Sequence, residues 1–315
     1  MEFFSLLIKI VVNRRDIIAV FEKTCNLLRE RSGGMSVDKK ELIRKIEALA
    51  PLSGQEAWDN SGWQISLGGA EVSKILIALE ITGDVIEEAA AGAADLILIH
   101  HPLIFSTAMK SIDSENLRGG YVVSLIQKGI SVYAAHTSFD SAEGGMNDGL
   151  AKILGLTSLR PFPSPKASED GPAQGDDSAS RVGFAGAMGR RGTLPAPKPF
   201  SEICRLIKTA LDPDFPIKAA GDPDKTISSV AICGGGAGDL LEAAIKEDVD
   251  LFITGDVRHH QGQWAKESGV CLIDGGHWGT EKHFTDMMYE FLSKEFAGRL
   301  ILDKSTLDLN PFDMV

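Results

Sequence analysis

The residues best able to do chemistry together fall in three short segments: the adjacent His100-His101, the pair His136 and Asp140, and the pair His277 and Glu281. Imidazole nitrogens and carboxylate oxygens are the donor set that zinc, iron and manganese accept. A carboxylate has two oxygens, so it can bridge two ions. Two ions about 3.5–4 Å apart would lower the pKa of a shared water and clamp the oxygens of a polarised substrate. Asp140 lies four residues after His136, and Glu281 four after His277. In a helical turn that spacing projects both side chains of a pair from one face. Each pair alone reads better as a helix-face pair, and His100-His101 alone reads equally well as two turn histidines. Their placement after strands is what joins them.

Asp95-Leu-Ile-Leu-Ile runs straight into His100-His101-Pro102. An apolar run this short and branched reads as a strand covered on both faces, and the proline ends it. Ile130-Ser-Val-Tyr-Ala-Ala135 ends in His136 in the same way, and Val270-Cys-Leu-Ile-Asp274 leads through two glycines to His277. Ligands collect beyond the carboxyl ends of strands in open α/β sheets. Strand 74–81, helix 85–93 and strand 95–101 with short joints form a right-handed parallel crossover. Residues 74–95 also align with 229–250 at one constant offset: Gly83-Asp84 matches Gly238-Asp239, and Asp95-Leu-Ile matches Asp250-Leu-Phe. Register held over a helix and two strands predicts a duplicated unit. The fold expected is α/β: two similar, intertwined lobes with the metal site between them.

Asp38 caps a helix that Pro51 closes, so the first lobe is expected to span 35–156. Residues 1–34 read as an extension or an over-called start. A connecting segment is expected over 157–228. Within it 161–180 is too poor in apolar residues to fold alone and reads as a mobile loop, 181–188 as a short strand, and 199–211 as a helix. The second lobe, 229–315, completes the site.

Of the 315 residues 43% are hydrophobic and 24% charged, as in a soluble globular protein. A net charge of -12 argues against non-specific nucleic-acid binding. The four cysteines form no CxxC pair, which fits a reducing cytoplasm. No segment is suited to crossing a membrane. Weaker signals remain. Cys233-Gly-Gly-Gly-Ala-Gly-Asp239 could cradle an anion, although a tight turn is the simpler reading, and it matches neither GxGxxG nor a P-loop. His259 and His260 read either as acid/base groups facing a substrate or as polar loop residues.

The ordered set of motifs resembles one family, the GTP cyclohydrolase I type 2 homologs, also called Nif-three-like proteins. Trp58-Asp-Asn-Ser-Gly, Ile99-His-His-Pro-Leu-Ile-Phe105, Ala135-His-Thr-Ser-Phe-Asp140, Gly145-Met-Asn-Asp-Gly149, Thr254-Gly-Asp-Val-Arg-His-His260 and Asp274-Gly-Gly-His-Trp-Gly-Thr-Glu281 carry the resemblance over nearly the whole chain past Met35. It implies two divalent ions per chain: His101 and Asp140 on one, His100 and His277 on the other, and Glu281 between them. His136 would be a ligand or a neighbour that orients one. It further implies toroidal homohexamers with the metals facing an inner cavity; some relatives carry an inserted domain between the lobes, but only 157–228 occupies that place here, so no separate one is expected. The family name implies ring opening of GTP with release of formate. The expected function is therefore a dinuclear metal-dependent hydrolase of a nucleotide-like or other small polar molecule, with His136 or His260 as proton shuttle. The alternative is a non-enzymatic, metal-stabilised scaffold or regulatory binding protein.

Overall fold

The structure, a computed structural model, describes residues 35–105, 109, 111–163, 187–211 and 216–313. The expected extension 1–34, positions 164–180 of the expected loop and positions 181–186 of the short strand lie outside the described residues. Two sheets organise the chain. The first holds β2 (Gly62–Ile65), β4 (Lys74–Ala78), β5 (Leu96–Ile99), β6 (Ser131–Ala134) and β13 (Ile301–Lys304), in the order β13-β4-β5-β6-β2. The second holds β7 (Thr157–Phe162), β8 (Gly189–Pro199), β9 (Lys218–Ala220), β10 (Thr226–Ile232), β11 (Leu251–Thr254) and β12 (Cys271–Asp274), in the order β7-β8-β10-β11-β12-β9. A small antiparallel ribbon pairs β1 (Val37–Asp38) with β3 (Glu71–Val72).

The duplication is visible bond by bond. Ile75, Leu76 and Ile77 of β4 pair with Leu96, Ile97 and Leu98 of β5. Val230, Ala231 and Ile232 of β10 pair with Leu251, Phe252 and Ile253 of β11, which is the same register at the repeat offset. The Asp95 carboxylate accepts from the amides of Ser73 and Lys74 at 2.7 and 3.0 Å. Asp250 accepts from those of Ser228 and Ser229, both at 2.9 Å. Ala93 and Asp248, equivalent positions before these aspartates, both adopt positive φ, 53° and 50°. The first copy connects its strands through helix α2 (Gly83–Ala91), capped by the Thr82 hydroxyl. The second copy starts as a tight turn over Gly238–Leu240 and continues as α7 (Leu241–Lys246).

Both faces of each sheet are covered, which explains why the strands read as unbroken apolar runs. On the first sheet α1 (Lys39–Leu49) and α10 (Phe284–Glu295) bury Leu42, Ile46, Phe284 and Met288 against Ile75, Leu98 and Tyr133. Asp38 starts α1 by accepting from the amides of Lys40 and Glu41, as expected of a cap. The opposite face packs α2 and α3 (Leu117–Lys128), through Val85, Ile86, Val122 and Leu125. The second sheet is covered by α6 (Phe200–Leu211) and by α5 (Met146–Ile153), which belongs to the first half of the chain. The other face takes α7 and α8 (His259–Ser268). Full burial of one Leu, Ile or Phe contributes about 1.5–3 kcal/mol, so these exchanged helices tie the lobes together.

The segment boundaries differ from the expectation in two places. Residues 157–228 are no mere connector: β7, β8 and β9 flank the three parallel strands of the second sheet. Pro195 and Pro197 hid β8, because proline is excluded from regular ladders. Here they fall where the pairing with β10 skips from Ile227↔Lys198 to Ser229↔Thr193, a bulge that needs no donor from them. The last strand, β13, leaves the second half and pairs parallel with β4, covering an edge of the first sheet. No helix among the described residues is long and apolar enough to cross a membrane.

Candidate metal centre

The crossing of the halves brings the predicted donors together. His100 and His101 follow β5, His136 opens the short helix α4 (Thr137–Asp140), and His277 opens α9 (His277–Glu281). His100 is wholly buried, and its Nδ1 lies 2.8 Å from the Ala135 carbonyl oxygen. That contact requires a proton on Nδ1 and leaves the Nε2 lone pair free. Nε2 faces Asp140 Oδ1 at 3.6 Å and Glu281 Oε1 at 3.5 Å. The other Glu281 oxygen, Oε2, lies 2.8 Å from His101 Nε2 and 3.2 Å from His277 Nε2, and those two nitrogens are 3.1 Å apart. One carboxylate thus addresses two donor groups: His100 with Asp140, and His101 with His277. This exchanges the histidine partners implied by the resemblance, because Asp140 is beside His100 and His277 beside His101. Three triads have donor atoms within 4.8 Å of one another: His100/Asp140/Glu281, His101/His277/Glu281 and His100/His101/His136.

The donor chemistry fits divalent cations. His100 Nε2 and Asp140 Oδ1 are buried without any hydrogen-bond partner, although unpaired buried polar atoms cost about 1–3 kcal/mol each. Both aim into the same small volume. Burial and then the facing Glu281 carboxylate push the Asp140 carboxyl well above its usual range. Burial likewise lowers His100 to about 4. For Glu281 burial works against the charge, but His100, His101 and His277 outweigh it and hold the carboxyl well below the ordinary value. Burial also opposes the His277 cation, and the Glu281 and Asp256 carboxylates overcome it, raising His277 to about 10. An imidazole nitrogen and two carboxyl groups facing one buried volume, two of their atoms without a partner, form a donor set that a divalent cation accepts.

Two carboxylates behind the donors were not evident as site residues. Asp256 Oδ2 is 2.7 Å from His277 Nδ1, so Nε2 is the nitrogen left for Glu281 and His101. Asp59 Oδ1 is 2.7 Å from His136 Nδ1, while its other oxygen accepts from the hydroxyls of Ser61 and Thr137. Burial opposes that charge, but His136 and the hydroxyls outweigh it, and the Asp59 carboxyl lies well below its usual range. Asp59 reads in sequence as part of a turn; only its position beside Trp58 in a motif of the resemblance pointed to it. Asp256 stands at the repeat position of His101, a signal that was legible without its role.

The glycine-rich joint serves close approach. Gly235 has φ +67°, and a Cβ there would stand 2.2 Å from Glu281 Oε1. Its amide donates to Thr280 Oγ1, and those of Gly234 and Ala237 to Asn147 and Thr254 side chains, so the loop is a tight turn and no anion cradle. His260 is not brought to the donors: it is exposed on α8, its ring 4.8 Å from that of Trp264, and it does not line the cavity onto which the centre opens. The proton-shuttle role expected of His260 is corrected accordingly, since the helix turns the ring outward.

A family model described as Duf34/NIF3 (NGG1p interacting factor 3) matches residues 37–311. The chain belongs to this family. Relatives of this NIF3-family chain include two proteins named GTP cyclohydrolase 1 type 2 homolog. That of Clostridium perfringens is 36% identical over 242 residues, 76% of this chain and 86% of the relative. That of Clostridium acetobutylicum is 34% identical over 247 residues, 78% of this chain and 86% of the relative. Among solved structures, a Bacillus cereus protein related to NIF3 superposes with a TM-score of 0.77 at 23% identity, covering 89% of this chain and 99% of that one. At that identity the likeness shows the fold, and the NIF3 fold is the intertwined α/β arrangement described above.

Proposed function

We propose that this NIF3-family chain is a hydrolase dependent on two divalent ions, zinc, iron or manganese, acting on a nucleotide-like or other small polar molecule. The observation that carries the proposal is the pair of buried, unpartnered donor atoms, His100 Nε2 and Asp140 Oδ1, facing one oxygen of Glu281. His100, Asp140 and Glu281 Oε1 would hold one ion, and His101, His277 and Glu281 Oε2 the other. Ions bound there supply Lewis acidity toward water and toward a polarised substrate bond. The remaining work falls to the protein. Asp256 keeps His277 in one tautomer, and Asp59 does the same for His136. His136 stands within the donor cluster and holds or passes a proton at the nitrogen opposite Asp59. GTP, from the relatives' name, is one candidate substrate.

Elemental analysis of the purified chain is expected to find about two ions per chain, and His101→Ala to lose at least one of them together with activity. Full metal retention by that variant would sink the ligand assignment. Metal-loaded protein that turns over no nucleotide in a formate and phosphate screen, yet retains a tight protein partner, would instead favour the scaffold reading. Self-association into a ring of six chains belongs to the same proposal, and light scattering after gel filtration tests it.

A further inference from the structure

The hydrolase reading leaves the substrate open, and the cavity walls narrow it. The centre opens onto a cavity of about 960 Å³. Two aromatic rings stand edge-on to His136 within it: Trp58 with centroids 5.8 Å apart and Phe105 with centroids 6.1 Å apart. Trp58 is 58% exposed, so packing does not account for a large ring at this wall. Tyr121 and Phe312 add further ring surface to the lining. Aromatic walls with a few convergent polar groups favour planar ligands through stacking and apolar burial.

Among the described residues the lining carries more carboxylates than cations. Glu80, Asp84, Asp140, Asp256, Glu281 and Asp308 line the cavity, against one guanidinium, Arg118, among the described residues. Two divalent ions would offset four of those six carboxylates. A triphosphate would add several negative charges to a lining already short of positive ones. The first turn of α2 carries Asp84, and the amides of Gly234, Gly235 and Ala237 are already bonded to side chains.

Resting on the hydrolase reading above, we infer that the cavity takes a planar nitrogen heteroaromatic molecule without a phosphate chain, its ring against Trp58 and Phe105 beside His136. This narrows the nucleotide-like class of the hydrolase reading: nucleoside triphosphates, GTP included, are then weaker ligands than the ring without its phosphates.

The test is calorimetric titration of the whole protein, its metal content fixed by elemental analysis, with guanosine, adenosine, a neutral pteridine, GTP and inorganic triphosphate. At least one neutral ring is expected to bind, with GTP at least about tenfold weaker than guanosine if guanosine is that ring, and with no detectable binding of triphosphate. Trp58→Ala is expected to weaken the neutral ring about ten- to hundredfold, ~1.4–2.8 kcal/mol at ~1.4 kcal/mol per tenfold, with the metal content unchanged. GTP or triphosphate binding more tightly than every neutral ring, no binding by any neutral ring, or indifference to Trp58→Ala would overturn the inference. The two readings fail separately. A chain free of metal that still binds the ring at Trp58 refutes the ions alone, and a metal-loaded chain that prefers GTP refutes the substrate class alone.

Discussion

His277 Nδ1 lies 2.7 Å from the Asp256 carboxylate, which leaves its Nε2 directed at Glu281 and His101. A carboxylate in this position sets the tautomer and raises the basicity of the ring it holds, and its loss typically costs 10–100-fold in metal affinity. Asp256→Asn is therefore expected to weaken the ion beside His101 and His277 about 10–100-fold, with little effect at His100 and Asp140, as read by metal titration. Equal weakening of both ions would mean that the donors act as one unit. His100 needs no carboxylate behind it, because the Ala135 carbonyl already receives its Nδ1 proton. The residue types of the centre were legible from the chain, while the place of Glu281 between two donor groups came only with the resemblance. Which histidine joins Asp140 was not, because His100 and His101 are adjacent in sequence and only the end of β5 decides where each ring points.

At the scale of elements, each repeat fastens two strands with one aspartate. Asp250 stands just before β11 and accepts from the amides of Ser228 and Ser229 and from the Ser229 hydroxyl, on the incoming strand β10. Burial works to raise its pKa, but those donors and Lys225 outweigh it and hold the carboxyl below 3.8. The sign follows from linkage. A depressed folded-state pKa contributes stability that is present above the unfolded pKa, and this contribution is lost as pH falls through the folded one. Asp250→Asn is thus expected to cost about 2 kcal/mol near pH 7, with the gap to the parent closing as pH drops below about 4. Urea denaturation across that range checks it, and a gap independent of pH would show that the charge contributes nothing. The fixed repeat offset made this clasp foreseeable, since Asp95 and Asp250 align. The bulge in β8 was not foreseeable, because three prolines in eleven residues argue against a strand unless the ladder is known to skip there.

For the whole molecule, the lobes are held by groups that cross between them. Arg190 of β8 is fully buried, and its guanidinium donates to Asp148 Oδ1 at 2.5 Å and to the carbonyls of Ser141 and Ala142 at 3.0 and 2.6 Å. Those carbonyls follow Asp140 directly, so a strand of the second sheet positions a donor from the first half. Removing one partner of a buried ion pair costs about 3–5 kcal/mol. Arg190→Met is expected to destabilise the protein by about that much and to lower affinity for the ion at Asp140, measured by urea denaturation and metal titration. A loss of stability with metal affinity intact would restrict Arg190 to holding the fold.

The sequence by itself determined the α/β class, the repeat, the three strand-end segments and the kinds of donor they carry. Apolar runs, proline stops and i, i+4 spacing are local properties, readable wherever the chain goes. Tertiary structure decided the rest. The exchange of α5, α10 and β13 between the halves brings donors from distant segments within reach of one carboxylate. It also placed Asp59 and Asp256 behind the rings and turned His260 away. Such choices depend on contacts between residues far apart in the chain, and a register of side chains along one strand carries no record of them.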